Sequence, residues 1–576
     1  MDTIPSLKDA LSPLKESSKS AIADAGCEAF DAITEYLHLD RIIEGQLKSF
    51  LESVKESDSK KLFLVCGNVG DGKSHLLASV RLNNPKLLKD VVLHNDATES
   101  SDPKSSFIDE LNNLLEPFTD DKIDTGNEKI VLAINLGTLN NFLAANKNEN
   151  NFNRLKEFVA ENKILETGDI VECQFLPDSS FQFVNFCDHN LFHLTQDGPV
   201  SEIIETALER VVSPDSPFYT AYEAQKVKYA EKCPICFNFE ALQSPAIRKL
   251  ISSLLIECII RGEIIISIRA LYNFIYEIIV PIDLEDVSNS EVDKRIEKYS
   301  DSDFLNNILP NYIFSHPELS SIFDQIQTYD PASHRGEIID NAIINLMVSD
   351  SPIGLVEQHV DLDSVGDNLT RIFRKVSSSN DYINNFIRTA FFWPRSRDLL
   401  TYNASYDAYV EMLFEWYSGN GKTLKPLYQL VEHAITSWNG QTNAGKINID
   451  IGRQQLEYRI AENINLKPAP LSAPSVTEGD VHTFNTSIPL RYHENGVDIP
   501  LLVPYNLFSL MQKIHDGYRP TVMDHSNFVV FNDFVQNITT AGEGQGQVFF
   551  TESKNKRQFV LELDSFGDFC FHEVVK

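Results

Sequence analysis

The run Gly67-Asn68-Val69-Gly70-Asp71-Gly72-Lys73-Ser74 has the residue types and spacing to hold a phosphate chain, since it fits the pattern G-x-x-x-x-G-K-[ST]. Its three glycines let the backbone curl until successive N–H groups converge on one anion-sized concavity. The N-terminus of a following helix would add partial positive charge at the same point. Lys73 can then reach the β- and γ-phosphates, the Ser74 hydroxyl can coordinate Mg²⁺, and His75 extends the contact surface. The flanks agree: 61–66 reads as a short buried strand and 75–81 as the continuation of a helix. A glycine-rich turn that binds nothing is the competing reading. The expectation is a nucleoside triphosphate, ATP with Mg²⁺.

Hydrolysis asks for more than the loop. A carboxylate at a strand end must hold the metal's water shell, and a second usually activates the attacking water. Three strand ends compete for that place. The stretch 91–99 offers Asp96, as metal ligand, and Glu99; 130–134 ends in Asn135; and 186–188 offers Asp188. Asp96 with Glu99 is the preferred pair, and Asn135 suits a sensor that polarises a water or the γ-phosphate. The alternative for Asp96 is the cap of a following helix. Arg269, in Ser267-Ile268-Arg269-Ala270-Leu271, begins a long helical run. It looks like the arginine that a lid subdomain places over the γ-phosphate in AAA-type ATPases, where it would neutralise charge developing during transfer. Arg261 is the weaker alternative, and an ordinary helix-surface arginine is the plain one.

Cys233-Pro234-Ile235-Cys236 has the spacing of half a zinc site, for which Cys173, Cys187, His189 and His193 are the conceivable partners. A partly buried turn is the simpler reading. The arginines 371, 374, 388, 395 and 397 could form a local basic strip, although ordinary helix-surface charges are the commoner meaning of such a pattern.

These residues need a scaffold, and the surrounding pattern supplies one. Strand-like runs at 91–93, 130–134 and 181–186 alternate with helical runs at 107–115, 155–164 and 203–212. That alternation, opening with a phosphate loop, argues a three-layer α/β nucleotide-hydrolase core of AAA-like kind with a mainly parallel sheet. Four regions result. Residues 1–60 form an N-terminal helical segment packing on the core, 61–280 the loop-containing core with lid-like helices, 281–440 a helical domain, and 441–576 a β-rich module. Within the last region, the proline-rich stretch 466–474 reads as a linker, 494–496 as a hairpin turn, and 542–546 as a loop.

Composition restricts the partners. The chain of 576 residues carries 83 acidic against 50 basic residues, a net charge of −33, which repels phosphate backbones over most of its surface. DNA contact would therefore be local or supplied by another subunit. No apolar run reaches the roughly 18 residues of a membrane span, the N-terminus lacks a signal-peptide pattern, and eight scattered cysteines suit a reducing compartment. A cytoplasmic location with no membrane contact is expected.

Taken as a set, the 67–74 loop, the stretches 94–100 and 133–139, the Cys233-Pro234 segment and residues 267–272 resemble the DptF (also called DndF) component of bacterial DNA phosphorothioation-dependent restriction systems. The resemblance covers roughly the first 280 residues. It implies an ATPase subunit acting with G and H partner components on DNA that lacks the phosphorothioate mark, with DNA reached through the complex. No nuclease motif accompanies it. A second reading from a different class remains: a nucleotide-dependent scaffold or STAND-like signalling switch with little turnover. A metal-side carboxylate at Asp96 or Glu99 would separate the two.

Overall fold

A computed structural model describes residues 4–15, 32–55, 58–68, 70–95, 107–146, 151–165, 178–186, 189–229, 232–349, 352–375, 380–396, 403–440, 446–449, 455–463, 467–469, 471–474, 479–494, 496–542, 547–564 and 566–574. The chain divides into two compact units, Met1–His193 with Pro199–Tyr402, and Leu194–Gly198 with Asn403–Lys576.

The first unit is built on a four-stranded parallel sheet. Its strands are β1 (Lys61–Gly67), β2 (Val92–His94), β3 (Lys129–Asn135) and β4 (Phe181–Asn185), in spatial order β2-β3-β1-β4. Every residue of β1 is buried, which explains why Leu62 to Cys66 form an unbroken apolar run and not an alternating one. The pleat then divides that run between two cores. Leu62, Leu64 and Cys66 face one side, together with Leu132 and Phe183 from the neighbouring strands. They pack against Leu111, Phe142 and Leu155 on the helices Phe107–Leu115, Leu136–Ala145 and Asn153–Glu161. Phe63 and Val65 face the other side and meet Leu47, Phe50 and Leu51 of the helix Ile42–Val54, and Leu77 and Val80 of the helix Lys73–Asn83. Helices thus cover both faces, giving three layers. Each large side chain so buried stabilises by roughly 1.5–3 kcal/mol, so β1 is held firmly from both sides.

Register places the strand ends. Gly67 lies opposite Asn135 across the β1–β3 pair, and Cys66 lies opposite Asn185 across β1–β4. The carboxyl ends of the central strands therefore finish level with one another, which is where parallel α/β sheets place their ligand crevice. Helices from Glu202–Val212 to Asn380–Phe392 make up most of the rest of the unit, with short helices Leu7–Ala10 and Ala32–Tyr36 before the sheet. One of them, Ile268–Ile279, starts at Ser267, whose hydroxyl accepts the Ala270 N–H at 3.1 Å.

The second unit combines antiparallel sheets with helices. Strands Ile488–Glu494 and Val497–Val503 form a hairpin closed at Glu494 opposite Val497, with Gly496 at φ 84°. Strands Gln547–Glu552 and Gln558–Leu563 pair in a five-stranded sheet. The unit also contains the helices Tyr505–His515, Val522–Asn527 and Val529–Gly542, so the tail is more mixed than its strand signals alone suggest. One feature reads differently from the sequence expectation. Lys467–Pro468 in the proline-rich stretch pairs with Tyr492 and His493 as an edge strand. Proline is tolerated there because its missing N–H falls outside the ladder.

Candidate functional site

The Gly67–Ser74 turn joins the end of β1 to the N-terminus of the helix Lys73–Asn83. Gly70 and Gly72 have φ of 88° and 92°, left-handed values that side-chain-bearing residues adopt only at a cost. Gly67 is required for a different reason: a Cβ there would stand 2.8 Å from Asp71 Oδ2 and 2.9 Å from Phe186 Cβ. Gly72 is the N-cap, and no side chain caps the helix, so its amino end opens toward the turn. Asp71 Oδ2 accepts the Asn68 N–H at 2.6 Å and cross-braces the turn. Burial raises the Asp71 carboxyl above its ordinary range, opposed by that hydrogen bond and by the charges of Lys73 and Arg41. Lys73 Nζ donates to the carbonyl oxygens of Gly67 at 3.2 Å and Asn68 at 2.5 Å, which sets its charge at the mouth of the turn.

A cavity of about 460 Å³ opens over this turn. That size falls in the range of small-molecule sites. Gly70 to His75 form its floor, Asn135 stands at the end of β3, and Arg269 enters from the first turn of the helix Ile268–Ile279. Ser267 Oγ lies 3.3 Å from the position a Gly70 Cβ would take, so this helix and the turn are in close approach. Lys73, Ser74, Asn135 and Arg269, singled out from scattered positions in the sequence, line one cavity. Val69, Asp96, Glu99 and Asp188 lie outside the described residues. Arg261 is engaged elsewhere, ion-paired to Glu257 and stacked over Tyr329 at 4.2 Å.

Another wall comes from the segment before the helix Ile42–Val54 and the helix's first turn, and nothing in the sequence pattern marked it. Arg210 Nη1 donates to the Tyr36 carbonyl at 3.2 Å, and the Tyr272 hydroxyl donates to the Leu37 carbonyl at 2.6 Å. These bonds hold the segment so that His38, Arg41 and Glu44 face the cavity beside the apolar Leu37, Leu39 and Ile43. His38 Nε2 lies 3.0 Å from Glu44 Oε2, and His38 Nδ1 lies 2.8 Å from His75 Nε2. The carboxylate demands a donor, so in neutral His38 the Nε2 carries the proton, Nδ1 accepts, and His75 Nε2 donates. The His38 bond, aided by Lys48 at 2.8 Å, draws the Glu44 carboxyl down to about 2. Burial, with His38 beside it, pushes His75 down to about 4. The chain Glu44–His38–His75 therefore ties the glycine-rich turn to the helix Ile42–Val54.

The fit to a nucleotide can be tested on these residues. The left-handed glycines, the uncapped helix end and Lys73 suit a polyphosphate. Ser74 suits a metal ligand by type and place. Among the described residues that line the cavity, the carboxylates are Glu44 and Asp71, both already engaged, so a carboxylate-held Mg²⁺ shell is not completed by them. His38, Asp40 and Glu44 place ligand-type atoms within 4.8 Å of one another. Glu44 there already holds Lys48.

Two other features stand apart from the cavity. Cys233 and Cys236 are buried at the start of the helix Pro234–Gln243, with Gln225 Nε2 at 3.2 Å from Cys233 Sγ. The hydrogen bond with Cys233, then burial, pushes the Cys236 thiol up. Of the arginines, Arg388 is paired through two nitrogens with Asp330, at 3.0 and 2.7 Å, and Arg371 with Asp301 at 3.0 Å. These two are structural charges; Arg397 lies outside the described residues. No helix among the described residues is long and apolar enough to cross a membrane.

No protein-family model, curated protein or solved structure matches the chain.

Proposed function

We propose that the chain is an ATP-binding and ATP-hydrolysing subunit of a phosphorothioation-dependent DNA restriction complex. The observation that carries the nucleotide part is the Gly67–Ser74 turn, with its left-handed Gly70 and Gly72, set at the carboxyl end of the central parallel strand under a cavity of about 460 Å³. In this reading the backbone of the turn and Lys73 hold the phosphates, and Ser74 contributes to the Mg²⁺ shell. Water attacks the γ-phosphorus, the bond to the β–γ bridging oxygen breaks, and ADP and inorganic phosphate leave. Asn135 orients the water or the γ-phosphate, and Arg269 neutralises the charge that gathers on the departing oxygens. Magnesium, when bound, supplies further charge neutralisation on the phosphates. Asp96 and Glu99 are assigned the carboxylate roles on sequence grounds. The restriction setting, its G and H partners and its unmodified DNA target rest on the resemblance to the DptF family, and the acidity of the chain suits a subunit that leaves most DNA contact to others.

One observation favours a second reading. The strand end directly beside the turn is Asn135 and not a carboxylate, and Glu44 and Asp71 are committed to other partners. A tight-binding, slowly turning switch or assembly platform would have this character. Steady-state ATP hydrolysis by the purified chain, beside Lys73→Ala and Asp96→Ala and with or without duplex DNA, distinguishes the two. Turnover lost in both variants and stimulated by DNA supports the restriction ATPase. Binding without turnover moves the assignment to the switch, and undiminished turnover in Lys73→Ala overturns the site itself.

A further inference from the structure

Arg41 stands apart from every cation in the phosphate-binding assignment. It lies 26 positions before Gly67 in the chain, yet its Nη1 donates to the Asp71 carbonyl at 2.9 Å and its guanidinium lies over the Phe186 ring at 4.6 Å. It lines the same cavity as Lys73 and Arg269. Among the described residues no carboxylate forms an ion pair with it, in contrast to Arg371 and Arg388. A guanidinium carries five N–H donors, and among the described residues its contacts are one carbonyl oxygen and one aromatic face. Burial lowers its pKa to about 10, opposed by the charge of Asp71. A cation partly withdrawn from water, with the charge of Asp71 nearby but no ion pair among the described residues, is stabilised further when a ligand supplies an anion.

The supports of Arg41 indicate that this placement is specified. The segment it sits on is fastened through the Tyr36 and Leu37 carbonyls to two separate helices, and Phe186 forms a flat apolar seat beneath the guanidinium. The Asp71 carbonyl fixes one edge of the fork against the turn itself.

We propose that Arg41 is a phosphate-binding residue supplied from outside the glycine-rich loop, and that it makes the site favour ligands in proportion to their phosphate charge. This rests on the reading of the Gly67–Ser74 turn as a phosphate site. An arginine suits the task because its planar fork can keep the Asp71 carbonyl on one edge and present the other to phosphate oxygens.

The test is calorimetric titration of the full chain and of its Arg41→Ala, Arg41→Lys and Lys73→Ala variants with ATP, ADP, AMP and inorganic tripolyphosphate. Loss of a charge-assisted contact predicts that Arg41→Ala binds ATP and tripolyphosphate about 10- to 100-fold more weakly. The loss should be smaller for ADP, least for AMP, and should shrink as ionic strength rises. Arg41→Lys should restore part of the affinity. The thermal midpoint of ligand-free Arg41→Ala should stay within about 2 °C of the wild type, because the lost hydrogen bond and ring contact are offset by removal of a partly desolvated cation. Equal loss for ATP and AMP together with a lowered midpoint would make Arg41 merely structural and overturn the proposal. So would wild-type ATP affinity in Arg41→Ala when Lys73→Ala has lost binding; that result would leave the phosphate-site reading intact. Absence of binding by the wild-type chain to all four ligands would overturn both.

Discussion

Acid should weaken the glycine-rich turn through His75, and the size of the effect can be worked out. His75 is held neutral by burial, reinforced by the neighbouring His38 ring, so its pKa lies at about 4 in the folded chain against 6.5 for the free side chain. The unfolded chain therefore takes up the proton first as pH falls. The stability this residue contributes is complete above about 6.5, is lost progressively below it, and is gone once pH passes through about 4. The whole interval corresponds to about 3.4 kcal/mol at 1.36 kcal/mol per pH unit, and the part lost between pH 7 and pH 5 is about 2 kcal/mol. His75→Gln removes the titration while keeping a donor where Nε2 stood. For a unit of several hundred residues, about 2 kcal/mol corresponds to roughly 2–3 °C in thermal midpoint. The wild-type chain should therefore lose that much more than His75→Gln when melted at pH 5 and at pH 7. Acid-sensitive groups away from this cluster titrate in both proteins and cancel in the difference, while Glu44, coupled to His75 through His38, is part of the measured effect. Parallel shifts in the two proteins, or a larger loss in the variant, would refute the argument that the half-buried His75 is held neutral.

Further expectations concern other parts of the site. Gly67→Ala should cost about 1–3 kcal/mol and disturb nucleotide binding, because its Cβ would press on Phe186 Cβ at 2.9 Å; comparison of melting and ATP titration checks both effects. Arg269→Ala should slow turnover on the order of a hundredfold or more while changing ATP affinity less; equal losses in kinetics and titration would assign it a structural role. Metal analysis of the purified protein should find less than one equivalent of zinc, and a full equivalent would show that Cys233 and Cys236 belong to a metal centre.

Much of the scaffold was written locally. The run 61–66, apolar from Leu62 on, read as a buried strand, and the glycines of the 67–74 turn announced its curl, because steric restriction on the backbone depends on the residue in place and not on distant partners. The strands near 92, 130 and 181 and the helices between them followed from apolar periodicity for the same reason. Periodicity says nothing about which strand lies beside which, and that order decides the site. Asn135 stands next to Gly67 because β3 pairs with β1 in register. Lys467–Pro468 became an edge strand only because Tyr492 and His493 offered it a ladder.

The wall contributed by His38, Arg41 and Glu44 shows the limit most clearly. In sequence these are ordinary polar residues at the start of an amphipathic helix, and their spacing marks no chemistry. Their role exists because Arg210 and Tyr272 draw the segment over the turn, bringing Arg41 to the Asp71 carbonyl and His38 to His75. The sequence by itself determined a phosphate-suited turn at the end of a buried strand, since glycine conformations and strand burial are local properties. Which charges surround that turn was decided only by the tertiary structure, because a cation and the turn it serves can lie far apart along the chain and meet only when the segments between them fold.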